Sequence, residues 1–320
     1  MVEIGSDVAA AARWLSSDEV VAIPTETVYG LAGNALRTRA VARIYEVKDR
    51  PSFNPLIIHT NAVERLTPYV RHMPEEAHRL AQAFWPGPLT LLLEKTERIP
   101  DVTTAGSDRV AVRIPQHPLT QRLLSALDFP LAAPSANPSG YVSPTAAAHV
   151  AEQLGKKIPY VLDGGPCSVG VESTIVGFEN GKVMVYRWGG VTQEDLQRCI
   201  GSATPVVYHS QEGATPAPGM MSSHYAPRQP VVIGDLADLL ERYPAEQVGL
   251  LPFQKAHPRV KAAHQVVLSP TGNLAEAAQH LFAALRYLEK LPVTHILAEA
   301  VPDYGVGRAI NDRLRRAAVR

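Results

Sequence analysis

KDRPSFNPLIIHT, residues 48–60, sets how the rest of the chain is read. Lys48, Arg50, Ser52 and Asn54 occupy every second position, so an extended backbone turns all four the same way. Two cations with a hydroxyl and an amide suit a clustered anion, such as the phosphates of a nucleotide. Immediately after them the apolar run PLIIHT reads as a buried strand. An anion seat at the mouth of a strand predicts an α/β protein that binds a phosphorylated ligand.

The pattern continues on both sides. VVAIPT (20–25), LTLLLEK (89–95), RVAVRIP (109–115), LAAPSA (131–136), YVLDG (160–164), STIVGF (173–178) and KVMVYRW (182–188) read as further strands. Helical periodicity covers 38–47, 62–70, 74–84, 118–127 and 144–154, the last with Ser143 as N-cap and Pro144 in its first turn. The N-terminal VEIGSDVAAAARWLSS reads as an amphipathic helix. Strands and helices mixed in one block predict a twisted sheet with helices. From 203 to 229 the chain is rich in Pro, Gly, Ser and Ala without a clear period, as a linker or functional segment is. Beyond it VVIGD, LADLLERY, QVGLLPF, HQVVLS, a long helix, THILAEAV and a last helix give a smaller α/β pattern. In the long helix Leu274, Ala277, Ala278, Leu281, Phe282, Leu285 and Leu288 form one apolar face. The expected organisation is a domain over 1–202, a linker over 203–229 and a small domain over 230–320.

Composition removes several function classes. Apolar residues are 46% and charged residues 19% of 320, as in a compact folded chain. Lysine plus arginine equals aspartate plus glutamate, 31 against 31, which disfavours a protein that mainly grips nucleic-acid backbone. The two cysteines, Cys167 and Cys199, have no metal-ligand spacing and fit a reducing cytoplasm. No signal peptide is evident, and no apolar run approaches the roughly 18 residues of a membrane span.

The usual nucleotide and nucleophile motifs are missing. There is no P-loop, H-E-x-x-H or G-x-S-x-G, and Gly305-Val306-Gly307 lacks the third glycine of a dinucleotide fingerprint. Instead, polar clusters sit at strand ends: Thr25, Glu26 and Thr27 in PTETVYG; Arg109 and Arg113 on one face of RVAVRIP; Ser135, Asn137 and Ser139 in APSANPSG; Glu172, Ser173 and Thr174 in VESTIV; Arg187 in YRWGG. Ligands of open α/β sheets collect in crevices at strand ends. Each cluster alone has an ordinary structural explanation; five from distant parts of the chain predict one convergent polar site.

These blocks, in this order, resemble the YrdC family: KDRPSFNPLIIH is similar to its KxR…SxN signature, and PTETVYGL, RVAVRIP, APSANPSG, VESTIV and YRWGG to its other motifs. PAPGMMSSHYAP resembles the linker of the longer members, threonylcarbamoyl-AMP synthases, in which a Rossmann-like domain follows. The resemblance implies a YrdC-like twisted mixed open sheet plus that second, smaller α/β domain. It implies synthesis of L-threonylcarbamoyladenylate from L-threonine, bicarbonate or CO2 and ATP, with release of pyrophosphate. This is the first step of threonylcarbamoyladenosine modification beside the tRNA anticodon.

From the same resemblance, Lys48 and Arg50 are the catalytic pair on the phosphates. Arg50, Asn54, Ser135, Ser143, Arg187, Tyr225 and Arg109 are expected at ATP, and Thr27, His59, Arg113, Ala133 and Ser173 at threonine. Tyr225, beside His224, lies on a linker expected to fold over the site. No protein metal site is expected, and Mg2+ enters with ATP. The implied partners are ATP, L-threonine, bicarbonate and the downstream tRNA threonylcarbamoyltransferase machinery, in the cytoplasm and away from membranes, and a weak tRNA contact stays open. Two alternatives remain: a related carbamoyl-adenylate-forming enzyme, and a double-stranded-RNA or tRNA-binding module using the tail Arg308, Arg313, Arg315, Arg316 and Arg320.

Overall fold

The apolar runs of the first two hundred residues pair side by side into one mixed sheet. In spatial order its eleven strands, among the described residues, are Glu3–Gly5, Tyr160–Leu162, Val21–Ile23, Gly30–Asn34, Leu131–Ala132, Ile57–His59, Arg109–Arg113, Leu89–Glu94, Thr174–Glu179, Lys182–Arg187 and Val206–Tyr208. The computed structural model describes residues 2–209 and 224–319. By contacts the chain divides into two units: Met1–Ser139, Pro144–Ser168 and Glu172–Met220 form the first, and Gly140–Ser143, Val169–Val171 and Met221–Arg320 the second. Among the described residues no helix is long and apolar enough to cross a membrane.

Helices cover the first sheet where the apolar period changes from two to three and four. Thr38–Lys48 buries Val41, Ile44, Tyr45 and Val47 against a core that also takes Leu31, Leu56, Ile58, Leu91 and Val112. Glu75–Phe84 buries Ala77, Leu80 and Ala81 there, with Glu75 and Glu76 in its first turn, where a carboxylate suits the helix dipole.

Several local expectations change. The N-terminal stretch splits into a strand, Glu3–Gly5, and a helix, Val8–Ser16, capped by Asp7, whose side chain accepts from Ala9 N. Gly30–Asn34 is a fully buried strand. The helix expected over 62–70 is only a 3-10 turn at Glu64–Leu66. The helix expected from Pro144 starts at Ala147, with Ala146 rather than Ser143 at the cap. Its expected first turn is engaged elsewhere: the Pro144 carbonyl accepts from Tyr29 N at 2.8 Å and the Thr145 carbonyl from Cys167 N at 2.9 Å.

In the second unit three parallel strands, in the order Val231–Ile233, His295–Ala298 and Val248–Leu251, carry helices Leu236–Arg242, Leu274–Leu288 and Gly307–Ala318. Asn273 caps the long helix, accepting from Ala275 N and Glu276 N, and the expected face from Ala277 to Leu288 is buried. HQVVLS makes single bonds alongside the sheet, Val266 N to the Leu250 carbonyl among them, instead of a strand.

Two short stretches from the middle of the chain belong to this unit. Arg286 donates through Nε to the Ser143 carbonyl at 3.3 Å and through Nη2 to the Val142 carbonyl, while Tyr141 donates to Glu289 at 2.6 Å. Gly170, at φ +82°, passes so close to the long helix that a Cβ would stand 2.3 Å from the Gln279 Cα. Only glycine fits there.

Candidate active site

The site starts in the loop after strand Val21–Ile23. Thr25 Oγ accepts from the amides of Thr27 and Val28, both at 3.2 Å, and donates to the Val28 carbonyl at 2.6 Å. This hydroxyl-closed turn replaces a strand ladder with local bonds and fixes Glu26 and Thr27, both buried. The hydroxyls of Thr25 and Thr27 lie 2.9 Å apart.

Two neighbouring strands supply the next pair. Ile57–His59 and Arg109–Arg113 run parallel with His59 opposite Arg113, which sets both at the same level of the sheet. Arg113 Nη2 donates to Glu26 Oε1 at 2.6 Å and Nε to the Gly87 carbonyl at 3.3 Å; Glu26 Oε2 accepts from Gln116 N at 3.0 Å. Burial, then the adjoining Arg113 charge, holds the His59 imidazole down at about 3, so it is neutral at physiological pH. Its buried Nδ1 has no hydrogen-bond partner among the described residues.

His59 also makes the fold acid-sensitive. Its pKa lies below the unfolded value of 6.5, so the unfolded chain binds a proton that the folded chain refuses. The contribution is fully present above pH 6.5 and falls away as pH drops toward 3. His59→Gln is therefore expected to reduce the loss of unfolding free energy between pH 7 and pH 4.5, measured in urea. An unchanged pH slope would assign the acid sensitivity elsewhere.

Ser173 enters strand Thr174–Glu179 fully buried, with its hydroxyl 2.7 Å from that of Thr90. Arg187 ends strand Lys182–Arg187 past a bulge and donates through Nε to the Ser173 carbonyl and through Nη2 to the Ser173 hydroxyl, both at 3.1 Å. Thr90 and Arg187 both lie opposite Ile175 in register. Thr174 N donates to the Pro88 carbonyl at 3.0 Å, next to the Gly87 that holds Arg113.

The opening stretch reaches the site differently from its alternation. Lys48 is the last residue of a helix, Asp49 turns left-handed at φ 50°, and a tight turn follows. Lys48, Arg50 and Asn54 are buried while Ser52 is exposed, so the four do not share one strand face. Lys48 Nζ lies 2.5 Å from the carbonyls of both Ser135 and Asn137. Its pKa is held well below the usual lysine value by burial and by Arg50. Arg50 donates to the carbonyls of Asn54 at 3.2 Å and Pro55 at 3.0 Å. Ala133, buried, donates to the Ile57 carbonyl at 3.0 Å.

Contacts join these groups end to end. Lys48 holds the Ser135 carbonyl; Ser135 bridges Gly30; the loop before Gly30 carries Glu26 and Thr27; Glu26 holds Arg113; and the Gly87-Pro88 turn links Arg113 to Thr174, beside Ser173 and Arg187. Arg109 stays apart. It starts the strand that Arg113 ends, about 13 Å away at the usual rise, and donates to Glu179 at 2.6 Å and Tyr186 at 3.1 Å.

Ser143 and Tyr225 belong to the second unit. Tyr225, at φ 65° and buried, stacks on Phe282 at 5.5 Å under the Arg313 guanidinium, 5.0 Å from its centroid. Residues 210–223 of the expected linker lie outside the described residues. Glu26, in PTETVYG, has no role among the residues that the resemblance implies. Neither has Thr90, whose signal is a hydroxyl in the otherwise apolar LTLLL.

Residues 13–189 match the family described as telomere recombination, Sua5_yciO_yrdC, and residues 191–319 the threonylcarbamoyl-AMP synthase C-terminal domain. The chain belongs to this Sua5/YrdC family of threonylcarbamoyl-AMP synthases. The threonylcarbamoyl-AMP synthase of Pyrococcus abyssi is 41% identical over 96% of this chain and 93% of its own. That of Bacillus subtilis is 41% identical over 97% and 92%. The crystal structure of P. abyssi Sua5 complexed with L-threonine superimposes with a TM-score of 0.89 at 38% identity, covering 99% of this chain and 97% of that one. A part of full-length HypF, 30% of that chain, matches 58% of this one at 23% identity and a TM-score of 0.51 and shares its fold.

Proposed function

We propose that the chain performs this synthesis with the first unit's linked cations and hydroxyls as its working surface. The threonine amine adds to CO2 and loses a proton, or displaces water from bicarbonate, and the resulting carbamate oxygen attacks the α-phosphorus of ATP as pyrophosphate leaves. The attacking atom belongs to the substrate, so the protein positions reactants and stabilises spread negative charge. A buried row of Lys48, Arg50, Arg113 and Arg187 with Thr27, Thr90 and Ser173 supports that reading better than any nucleophile would.

Lys48 and Arg50 face the phosphates in this reading, with Asn54, Ser135 and Arg187 on the nucleotide. Thr27, neutral His59, Ala133, Arg113 and Ser173 hold threonine, the carboxylate against Arg113. Ser143 and Tyr225 are assigned to the nucleotide as well. Magnesium enters with ATP in this reading, and Glu26 is taken by Arg113 and Gln116. The ion's ligands are then phosphate oxygens and water. A mixed anhydride hydrolyses readily, so its direct handover to the tRNA threonylcarbamoyltransferase machinery in the cytoplasm completes the proposal.

Two of the five tail arginines that the RNA-binding alternative would use are committed to the fold, while Arg315 is exposed. Arg313 is fully buried and donates to Asp312 at 2.7 Å, and Arg316 donates to the same carboxylate's Oδ1 at 3.0 Å. Arginines committed to the fold are not available to phosphate backbone.

One incubation tests the proposal: ATP, magnesium and bicarbonate with threonine, serine or no amino acid, followed by mass analysis. An adenylate of threonylcarbamate mass that requires both threonine and bicarbonate is expected. ATP consumption without that adenylate would sink the reading.

A further inference from the structure

Among the described residues Glu26 is the buried carboxylate that touches the proposed threonine pocket's arginine, and nothing in the reaction so far uses it. It is 5% exposed and Arg113 4%, so the pair sits away from water. A guanidinium offers two edges, each with a pair of parallel N–H groups. One edge of Arg113 is spent within the protein, Nη2 on Glu26 at 2.6 Å and Nε on the Gly87 carbonyl at 3.3 Å. The Gln116 amide pins the far oxygen of Glu26, so the carboxylate cannot swing aside. What remains is the end-on edge: Nη1, which donates to nothing among the described residues, and the second hydrogen of Nη2.

Charge gives the arrangement a second meaning. Lys48, Arg50 and Arg187 already supply the cations that a triphosphate needs. An uncompensated Arg113 would add a further anion seat, open to the pyrophosphate product or to a misplaced nucleotide tail. With Glu26 beside it, the pair is neutral and suits a zwitterion, whose own carboxylate and ammonium cancel. Discrimination often depends on what a site repels as much as on what it holds.

We infer that Glu26 is a positioning residue: it aims the end-on edge of Arg113 at the amino-acid carboxylate and bars phosphate anions from the amino-acid seat. The inference rests on the proposed reading of this pocket as the threonine site. It is tested with Glu26→Gln and Glu26→Asp in the full-length chain, with ATP affinity measured on each variant as the check of folding. Glu26→Gln is expected to raise the KM for threonine by about 10- to 100-fold, the worth of a hydrogen bond to a charged group, with a smaller change in kcat. In the same variant pyrophosphate should become competitive with threonine, and Glu26→Asp should restore resistance to it in part.

The outcomes separate the inference from its premise. If the parent protein binds no threonine by calorimetry, or Arg113→Ala binds it as tightly as the parent, the pocket reading fails. If the parent binds threonine, Arg113→Ala does not, and Glu26→Gln keeps the parental KM and pyrophosphate inhibition pattern, the inference alone is overturned. Loss of ATP binding in both Glu26 variants would make the residue purely structural and overturn it too.

Discussion

Arg50→Ala is expected to slow threonine-dependent pyrophosphate release by about 10²- to 10³-fold, the usual effect of removing one donor aimed at developing charge, about 2.7–4 kcal/mol. Arg50 is held rather than mobile. Its Nε and one Nη lie on the carbonyls of Asn54 and Pro55, so the guanidinium is oriented before any ligand arrives. Such preorganisation lets a donor act without reorganising during the reaction. Lys48→Ala belongs to the same class and removes as well the ammonium that gathers the Ser135 and Asn137 carbonyls. Arg109→Ala provides the contrast, since that side chain is tied to Glu179 at the other end of its strand. Parental turnover in both Arg50→Ala and Lys48→Ala, by a coupled pyrophosphate assay, would remove the phosphate role. A deficit in Arg109→Ala as deep as theirs would bring Arg109 back to the nucleotide.

The second large effect concerns stability. Arg113→Ala leaves Glu26 charged and buried without its cation, and breaking a buried pair from one side costs about 3–5 kcal/mol. For a unit of this size that lowers the melting temperature by on the order of 10 °C. Removing both charges is different. Glu26→Leu with Arg113→Leu eliminates the desolvated ions together, and such replacements are often neutral in stability. The double variant should therefore melt well above Arg113→Ala, while threonine binding is lost in both. If the two melt alike, the Glu26 contact contributes little to the fold. Differential scanning calorimetry of the first unit's transition decides between these results.

Much of this was legible in the residues, and the failures have local causes. Strands such as LTLLLEK and RVAVRIP announce themselves because β-branched and leucine side chains fill a pleated surface. GLAGN does not, since two glycines and an alanine carry almost no strand signal; its five residues are buried through tight approach, with Gly33 against Ile44. The strand Glu3–Gly5 is too short to show beside the run of alanines that follows. The alternation in KDRPSFN put Lys48 and Arg50 on one strand face, but a helix end and a left-handed aspartate bring them together instead, and Ser52 is exposed. Glu26 was visible as a letter, but its pairing with a residue 87 positions later is tertiary information.

The interleaving of the two units has a consequence for how the chain is made. Gly140–Ser143 and Val169–Val171 leave the ribosome long before the helix that receives them, whose Arg286 seats the carbonyls of Val142 and Ser143. At 5–20 residues per second that delay is on the order of ten seconds. During it the nascent N-terminal part carries two loose ends that nothing yet synthesised can seat. A stop codon placed after the large sheet would make that interval permanent, leaving both segments without the helix that receives them.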